Sequence, residues 1–231
     1  AVPEGAFDFW RSHLSDHEVS IVEPFRRFGK SVIGLQDPDG LHLELVEVPE
    51  VNELDGWSDG TIPAEYAVRG FHGATLAEER HQPTAELLTG HLGFEKQDRR
   101  DSRYLFTCGN GLGSAVEIIE NSGLNGKPGR GTVHHIAFRT ADEEEQLVLR
   151  DRLTGDGYHV TEPKDRRYFS SIYFYESGGV LFEIATDGPG FDRDEAERNL
   201  GHELKLPPWL EDQRNLIEAD LPDLAPPGGI S

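Results

Sequence analysis

The sequence contains no methionine, a single cysteine and few lysines. One cysteine excludes an intramolecular disulfide framework, so Cys108 is expected to be an ordinary thiol that is buried or half-buried. No stretch approaches the roughly 20 consecutive apolar residues that a membrane-spanning helix requires, and no basic, apolar leader opens these residues. Neither a membrane protein nor a secreted protein is therefore indicated, and we expect a cytoplasmic one.

Charge is the most unusual feature of the composition. The formal net charge is −21 over 231 residues, which argues against nucleic acid and against an anionic membrane as partners. Only five residues are lysine, the other basic residues are arginine, and the acidic residues are spread along the whole chain. A dispersed acidic surface of this kind is expected in concentrated salt, where ions screen self-repulsion. We therefore hypothesise a halophilic protein.

The stretch from Gly131 to Asp187 carries the strongest pattern. It opens with Gly-Thr-Val-His-His-Ile-Ala-Phe, a strand pattern in which His135 shares a face with Ala137. An acidic, amphipathic helix pattern and two extended runs follow, and a last strand pattern carries Glu183. The order is strand, helix and three strands. A histidine and a carboxylate meeting in a curled sheet would suit a divalent first-row metal.

The same order recurs twice, which makes an internal repeat. In the second copy His72 lies on the first strand pattern and Glu117 on the last, and in the opening copy Glu44 takes the last-strand position. The expected organisation is a remnant of a first domain at 1–50, a linker at 51–66, a metal-binding domain of two copies at 67–187, and a C-terminal turn, short helix and tail at 188–231.

Each copy has one apolar sheet face, and such units are expected to pair around a cavity. The expected fold class is α+β, with βαβββ modules paired into curled, mixed-sheet barrels. Residues 67–187 supply one pair, whereas the opening copy lacks a partner and its first strand is cut short at Ala1. We expect an earlier copy to have been lost by truncation, processing or disorder. Alternatively, Ala1 is the true start and the remnant pairs with another subunit.

Pairing of the second and third copies would bring His72 beside His135, with Glu183 completing a set of three ligands. Two imidazoles and one carboxylate on one face of an octahedral ion leave three positions open, as in non-haem Fe(II) oxygenases. A lone strand histidine is more often an ordinary core or surface residue. The metal prediction therefore depends on these residues recurring at equivalent strand positions. His134, on the opposite strand face, is expected to pack or to support a ligand.

The chain resembles the vicinal oxygen chelate superfamily and, within it, the glyoxalase-related ring-cleaving dioxygenases, including the hydroquinone type. The resemblance extends over essentially all 231 residues and is carried by the segments 70–76, 131–138, 165–191 and 206–211. It implies a metal held by His72, His135 and Glu183, with Fe(II) favoured and Mn, Zn or Ni as alternatives. It also implies a small dihydroxylated aromatic substrate and O2.

The resemblance further implies that Tyr173, ten residues before Glu183, is catalytic. Its phenol would hydrogen-bond a substrate oxygen and help to deprotonate it. Alternatively, Tyr173 fills the sheet interior, in which case Tyr168 and Tyr175 are rivals for the catalytic role.

One family position differs. The related extradiol enzymes carry an acid–base histidine nine residues before the tyrosine, and this chain has Lys164 there. Arg166 would then hold an anionic ring oxygen or carboxylate, or else form a structural ion pair with Asp165.

Two other functions stay open. If Glu117 is a fourth ligand, a glyoxalase I-like lyase or isomerase becomes plausible, with Ni, Zn or Mn as a Lewis acid and no need for O2. The second is a metal-free binding protein of the bleomycin-sequestering kind. Metal content and O2 consumption separate these functions from a dioxygenase. Paired or swapped barrels would also be compatible with a homodimer.

The acidic composition generates the first testable prediction. Between 0.1 M and 1 M salt the Debye length falls from about 10 Å to about 3 Å, which screens repulsion among the surface carboxylates. The thermal unfolding midpoint, measured by circular dichroism, should therefore rise steeply from low to molar salt. Equal midpoints at both salt concentrations would contradict the halophile hypothesis.

Overall fold

The structure is a computed structural model that describes residues 1–57, 60–121 and 129–222. The helices are α1 (Phe7–Asp16), α2 (Gln82–Gly90), α3 (Glu143–Gly155) and α4 (Arg214–Asp220), with 3-10 segments at Pro49–Val51, Phe191–Arg193, Glu197–Asn199 and Pro208–Gln213. None of the described helices is both long and apolar enough to cross a membrane. The tail predicted up to Ser231 extends beyond the described residues. Cys108, expected to be buried or half-buried, is exposed at the end of the strand Arg103–Thr107.

The strands form three separate sheets in the described part of the chain, and the α+β class is confirmed. They are β1 (Ile21–Arg27), β2 (Lys30–Gln36), β3 (His42–Val46), β4 (Gly73–Glu78), β5 (Glu95–Arg100), β6 (Arg103–Thr107), β7 (Ala115–Glu120), β8 (Ile136–Thr140), β9 (Lys164–Asp165), β10 (Phe169–Tyr175) and β11 (Leu181–Pro189). The sheet orders are β1-β2-β3, β4-β7-β6-β5 and β8-β11-β10-β9.

The three sheets belong to the three predicted repeats, which we call the first (1–48), second (73–120) and third (136–189) repeat. In the second and third, the first strand runs parallel to the last, β4 beside β7 and β8 beside β11. In the first, Val2 takes the place of that strand through a parallel bridge to Glu47. The repeats are curled, mixed-sheet modules, and these sheets do not close into barrels.

Helix α3 shows how local sequence builds a repeat. Asp142 caps its amino end by accepting a hydrogen bond from the backbone N–H of Glu145 at 2.9 Å. One turn further on, the fully buried Gln146 donates from its amide to the carbonyls of Ser170 and Ile184, at 2.9 and 2.8 Å. Because these carbonyls lie on β10 and β11, the helix is fixed against the two strands that carry Tyr173 and Glu183.

The second and third repeats share one hydrophobic core. It joins the helix-bearing faces of both sheets with side chains of α2 and α3: Leu76, Leu87, Leu88, Phe94, Tyr104, Phe106, Val116, Ile118, Leu153, Ile172, Phe174, Phe182 and Ile184. Since side chains alternate along a strand, the opposite faces, which carry Glu117 and Glu183, both point away from this core. The first strands β4 and β8, expected side by side, lie in different sheets.

The open face of the second repeat is turned toward the first repeat. The guanidinium of Arg27 forms a two-pronged ion pair with Glu44 and reaches Glu117 with Nε at 2.9 Å. Arg103 contacts the same Glu117 carboxylate at 2.8 Å. The first and second repeats therefore face each other across these charges, whereas the repeat pattern predicted pairing of the second with the third around a cavity. The physical reason is that the apolar faces of the second and third repeats pack against each other in one core.

Replacing Arg27 by methionine tests this contact. The side chains of Arg27 and Glu117 are both 11% exposed, so the variant leaves a buried carboxylate with one partner fewer. We expect the free energy of unfolding to fall by about 3 kcal/mol in urea titration. The neighbouring Arg26→Met is the control, because Arg26 is exposed and donates to the carbonyl of Gly29; its effect should stay within about 0.5 kcal/mol. Equal losses in both variants would contradict the contact.

Candidate active site

His135 and Glu183 meet on the open face of the third repeat. Ala137 on β8 is the parallel partner of Glu183 on β11, so His135, two residues earlier, shares the face of Glu183. His135 Nε2 lies 2.7 Å from Glu183 Oε2. The Glu183 side chain is 4% exposed and the His135 side chain 35% exposed. A nearly buried carboxylate is therefore joined to an imidazole that solvent reaches.

The other oxygen of Glu183 is held by two hydroxyl groups. Tyr173, the antiparallel partner of Glu183 on β10, donates to Oε1 at 2.8 Å. The fully buried Ser171 donates to the same oxygen. This leaves Oε2 directed at His135 and fixes the orientation of the carboxylate. Ser171 was not among the predicted site residues, although strand alternation places it on the face of Tyr173.

Arg166 adds a positive charge beside the phenol. Its Nε donates to the Tyr173 hydroxyl at 3.1 Å, and its guanidinium carbon lies 5.2 Å from the ring centroid. Arg166 is exposed, so it can meet a ligand from solvent. Asp165, the alternative partner, instead accepts from the backbone N–H of Arg167 at 2.6 Å. The geometry thus associates Arg166 with Tyr173.

The rival tyrosines lie elsewhere. Tyr168 donates to Asp194 at 3.0 Å, and Tyr175 is 68% exposed at the end of β10. Lys164, at the position of the family's acid–base histidine, is exposed on the short strand β9.

A second histidine supports the first. Nδ1 of the exposed His134 lies 2.8 Å from Nδ1 of His135. A hydrogen bond at one imidazole nitrogen sets the tautomer and orientation of the ring and so determines what the other nitrogen can bind. The contact with His134 therefore bears on the orientation of the His135 ring, and the supporting role of His134 stays a prediction.

His72 is not brought to this pair, and strand register gives the reason. Thr75 on β4 is the partner of Glu117 on β7, so the position equivalent to His135 is Gly73. His72 lies one residue earlier, before β4 begins at Gly73, so strand register does not place its side chain at the position that His135 takes beside Glu183. A Cβ at Gly73 would lie 2.2 Å from the carbonyl oxygen of Ala115, so that position accepts no side chain.

His72 belongs instead to the surroundings of the first repeat. Burial, followed by nearby positive charges that include Lys30 and Arg27, lowers the pKa of His72 to about 4. Throughout residues 1–57, 60–121 and 129–222, no three or more His, Cys, Asp or Glu side chains are grouped to hold a metal ion. Two of the three predicted ligands converge, and His72 lies apart from them.

Glu117, considered as a fourth ligand, is held by Arg27 and Arg103. Glu44, its counterpart in the first repeat, is held by the same Arg27. Guanidinium groups therefore neutralise the last-strand carboxylates of the first two repeats. The carboxylate of the third repeat, Glu183, is paired with an imidazole.

The His135–Glu183 pair has the donor chemistry of a metal centre. An imidazole nitrogen and a carboxylate oxygen are ligands that divalent first-row metals accept. Here the two atoms already lie 2.7 Å apart. Val133 and Ala137 beside them are exposed, so the face is open to an ion and a substrate.

Comparisons with known proteins identify the family of the chain. The profile of the Glyoxalase/Bleomycin resistance protein/Dioxygenase superfamily matches residues 70–184. The chain is 40% identical over 220 residues to MhqO of Bacillus subtilis, named as a candidate ring-cleaving dioxygenase, covering 95% of this chain and 70% of MhqO. It is 33% identical over 216 residues to a chlorohydroquinone/hydroquinone 1,2-dioxygenase of Sphingobium indicum, covering 90% of this chain and 67% of that protein.

A solved structure extends the similarity to the fold. The crystal structure of a candidate dioxygenase from Bacillus subtilis superposes with a TM-score of 0.88 at 38% sequence identity. The superposition covers 95% of this chain and 70% of that one. The arrangement of the three repeats is therefore shared with that protein.

The position of His72 generates a pH prediction. Its pKa of about 4, against an ordinary 6.5, means that the unfolded chain binds a proton between these values while the folded chain does not. Stability contributed by His72 is thus present above pH 6.5 and is lost as pH falls toward 4. A two-dimensional NMR titration should show the His72 ring neutral at pH 5.5, and titration near 6.5 would contradict its burial.

Proposed function

Because the chain belongs to the Glyoxalase/Bleomycin resistance protein/Dioxygenase superfamily, we propose that it is a metal-dependent ring-cleaving dioxygenase. Its substrates are a dihydroxylated aromatic ring and O2, and the relative named for chlorohydroquinone and hydroquinone favours the hydroquinone type. The observation that carries the proposal is the contact of His135 Nε2 with Glu183 Oε2, beside Tyr173 and Arg166, on an open sheet face.

His135 and Glu183 supply two of the metal ligands in this proposal. Fe(II) is the favoured metal, with Mn, Zn or Ni as alternatives, because a histidine and carboxylate set with open positions is typical of non-haem iron oxygenases. When bound, Fe(II) supplies redox coupling between the aromatic ring and O2. Ser171 holds Glu183 in place, and His134 fixes the ring of His135.

The third ligand is proposed to come from outside the described residues. His72, predicted for this role, lies near Lys30 and Arg27 of the first repeat and would have to move away from them to reach the His135–Glu183 pair. The first two repeats already face each other through Arg27, so the open face of the third repeat has no described partner repeat. We propose that a further βαβββ repeat, of the kind predicted to precede Ala1, closes over this face and completes the metal site.

Tyr173 and Arg166 act on the substrate. The Tyr173 hydroxyl lies between the Arg166 guanidinium and the Glu183 carboxylate, so it is placed to hydrogen-bond a ring hydroxyl and assist its proton loss. Arg166 is placed to stabilise the anionic ring oxygen that results. Lys164 occupies the position of the family's acid–base histidine, and its partner across the sheet is Ser171. We assign the acid–base role to Tyr173 with Arg166, because these two side chains contact each other and Tyr173 contacts Glu183.

Several finer assignments belong to the same proposal. They are extradiol-type cleavage, a cytoplasmic location, a homodimer and the halophilic origin suggested by the net charge of −21. The glyoxalase I-like alternative needs Glu117 as a ligand, and the two arginines on that carboxylate speak against it.

The test is O2 uptake by the complete gene product. The protein is loaded anaerobically with Fe(II), and O2 consumption is followed with hydroquinones and catechols. Tyr173→Phe should keep its metal and lower kcat by about 100-fold or more, because it removes the group that assists proton transfer. Tyr175→Phe is the matched control, the same change two residues along β10 at an exposed side chain, and should leave kcat unchanged.

The outcomes separate the alternatives. Glu183→Gln should lose most of the bound metal, because a neutral amide replaces the anionic ligand. Turnover of an aldehyde conjugate without O2 uptake would favour the lyase. Wild-type protein that binds no divalent metal after anaerobic loading would contradict the dioxygenase proposal.

A further inference from the structure

Two buried carboxyl groups share one hydroxyl where the second repeat meets the third. Glu78 ends β4, and Glu176 lies in the turn between β10 and β11; each is 3% exposed. Oγ1 of the fully buried Thr84, on α2, lies 2.7 Å from Glu78 Oε2 and 2.5 Å from Glu176 Oε2. The three groups thus connect α2 and β4 of one repeat with a hairpin of the other.

Counting protons shows that both carboxyl groups cannot be ionised. A hydroxyl carries one hydrogen and ionised carboxylates only accept, so Thr84 can donate to one of them and must accept from the other. Glu176 already accepts from the backbone N–H groups of Gly178 and Val180, each at 2.8 Å, which favours its ionised form. Glu78 Oε1 is buried without a partner among the described residues. The extra proton therefore belongs on Glu78.

We infer that Glu78 is protonated in weakly acidic solution, that in this state it donates to Thr84 while Thr84 donates to Glu176, and that this chain of hydrogen bonds latches the second repeat onto the β10–β11 hairpin. The latch is independent of the proposed function. The hairpin carries Tyr173 and Glu183, so the latch also sets how firmly the candidate site is anchored.

The electrostatic surroundings agree with this assignment. Burial raises the pKa of Glu78 to about 7; the Thr84 hydrogen bond opposes the rise, and the charge of Glu176 adds to it. Glu120, the partner of Glu78 on β7, is turned to His81 at 2.6 Å. His81 precedes α2, so the charges on the adjoining elements are paired with each other, and Glu176 is the charge that Glu78 faces.

The contribution of Glu78 to stability depends on pH. The pKa of Glu78 is raised from 4.5 to about 7 on folding, so its stabilising contribution is complete below 4.5 and is lost as pH rises through 7. Glutamine resembles the protonated acid and does not ionise. Glu78→Gln should match the wild type at pH 5 and unfold at a higher temperature at pH 8. Glu79→Gln is the control, because it removes the same charge from an exposed neighbouring side chain.

Thermal unfolding of the three proteins from pH 5 to pH 8 is the test, joined by the infrared carbonyl band of a protonated carboxyl group. We expect a midpoint difference that grows between pH 5 and pH 7 for Glu78→Gln and stays flat for Glu79→Gln. We also expect a carboxyl band in wild type at pH 6 that Glu78→Gln lacks. The inference would be overturned if Glu78→Gln were less stable than wild type at pH 8, or if the carboxyl band were absent at pH 6. It would also be overturned if Ca2+ or a chelator changed the stability of the wild type, because that would indicate a cation bridging the two carboxylates.

Discussion

The structure depends on one requirement: a carboxylate on the last strand of each repeat, partly or wholly withdrawn from water, needs a partner. Ionised groups removed from water are costly unless they are paired. Arg27 satisfies this requirement for Glu44 and Glu117 and, by doing so, joins the first two repeats. His135 and two hydroxyl groups satisfy it for Glu183. A carboxylate paired with a guanidinium, as Glu44 and Glu117 are, forms a structural contact. A carboxylate paired with an imidazole, as Glu183 is, forms a candidate metal centre, because both groups can bind a metal ion.

The packing of the repeats explains why the centre lies on an open face. The apolar faces of the second and third repeats are buried against each other in one core, so their carboxylate faces point in opposite directions. The second repeat then receives the first, and the third keeps its face open. Behind that face, Gln146 and the Glu78–Thr84–Glu176 cluster hold β10 and β11, so the side chains of the site stand on a fixed support.

Patterns within one repeat were predictable from the sequence. The strand patterns predicted that His135 and Glu183 could meet, the family resemblance pointed to Tyr173, and these three side chains do lie together. Relations between repeats were not predictable in the same way. His72 falls one residue before the register position equivalent to His135 and outside strand β4. The contact of Arg27 with Glu117 joins residues 90 positions apart. Nothing local in the sequence marks either, because similar apolar faces permit more than one pairing of repeats.

The account is tested most directly by anomalous diffraction from crystals of the protein soaked with Mn2+. It predicts a metal peak that touches both Nε2 of His135 and Oε2 of Glu183. A peak at His72 or between Glu44 and Glu117, with nothing at the His135–Glu183 pair, would contradict it.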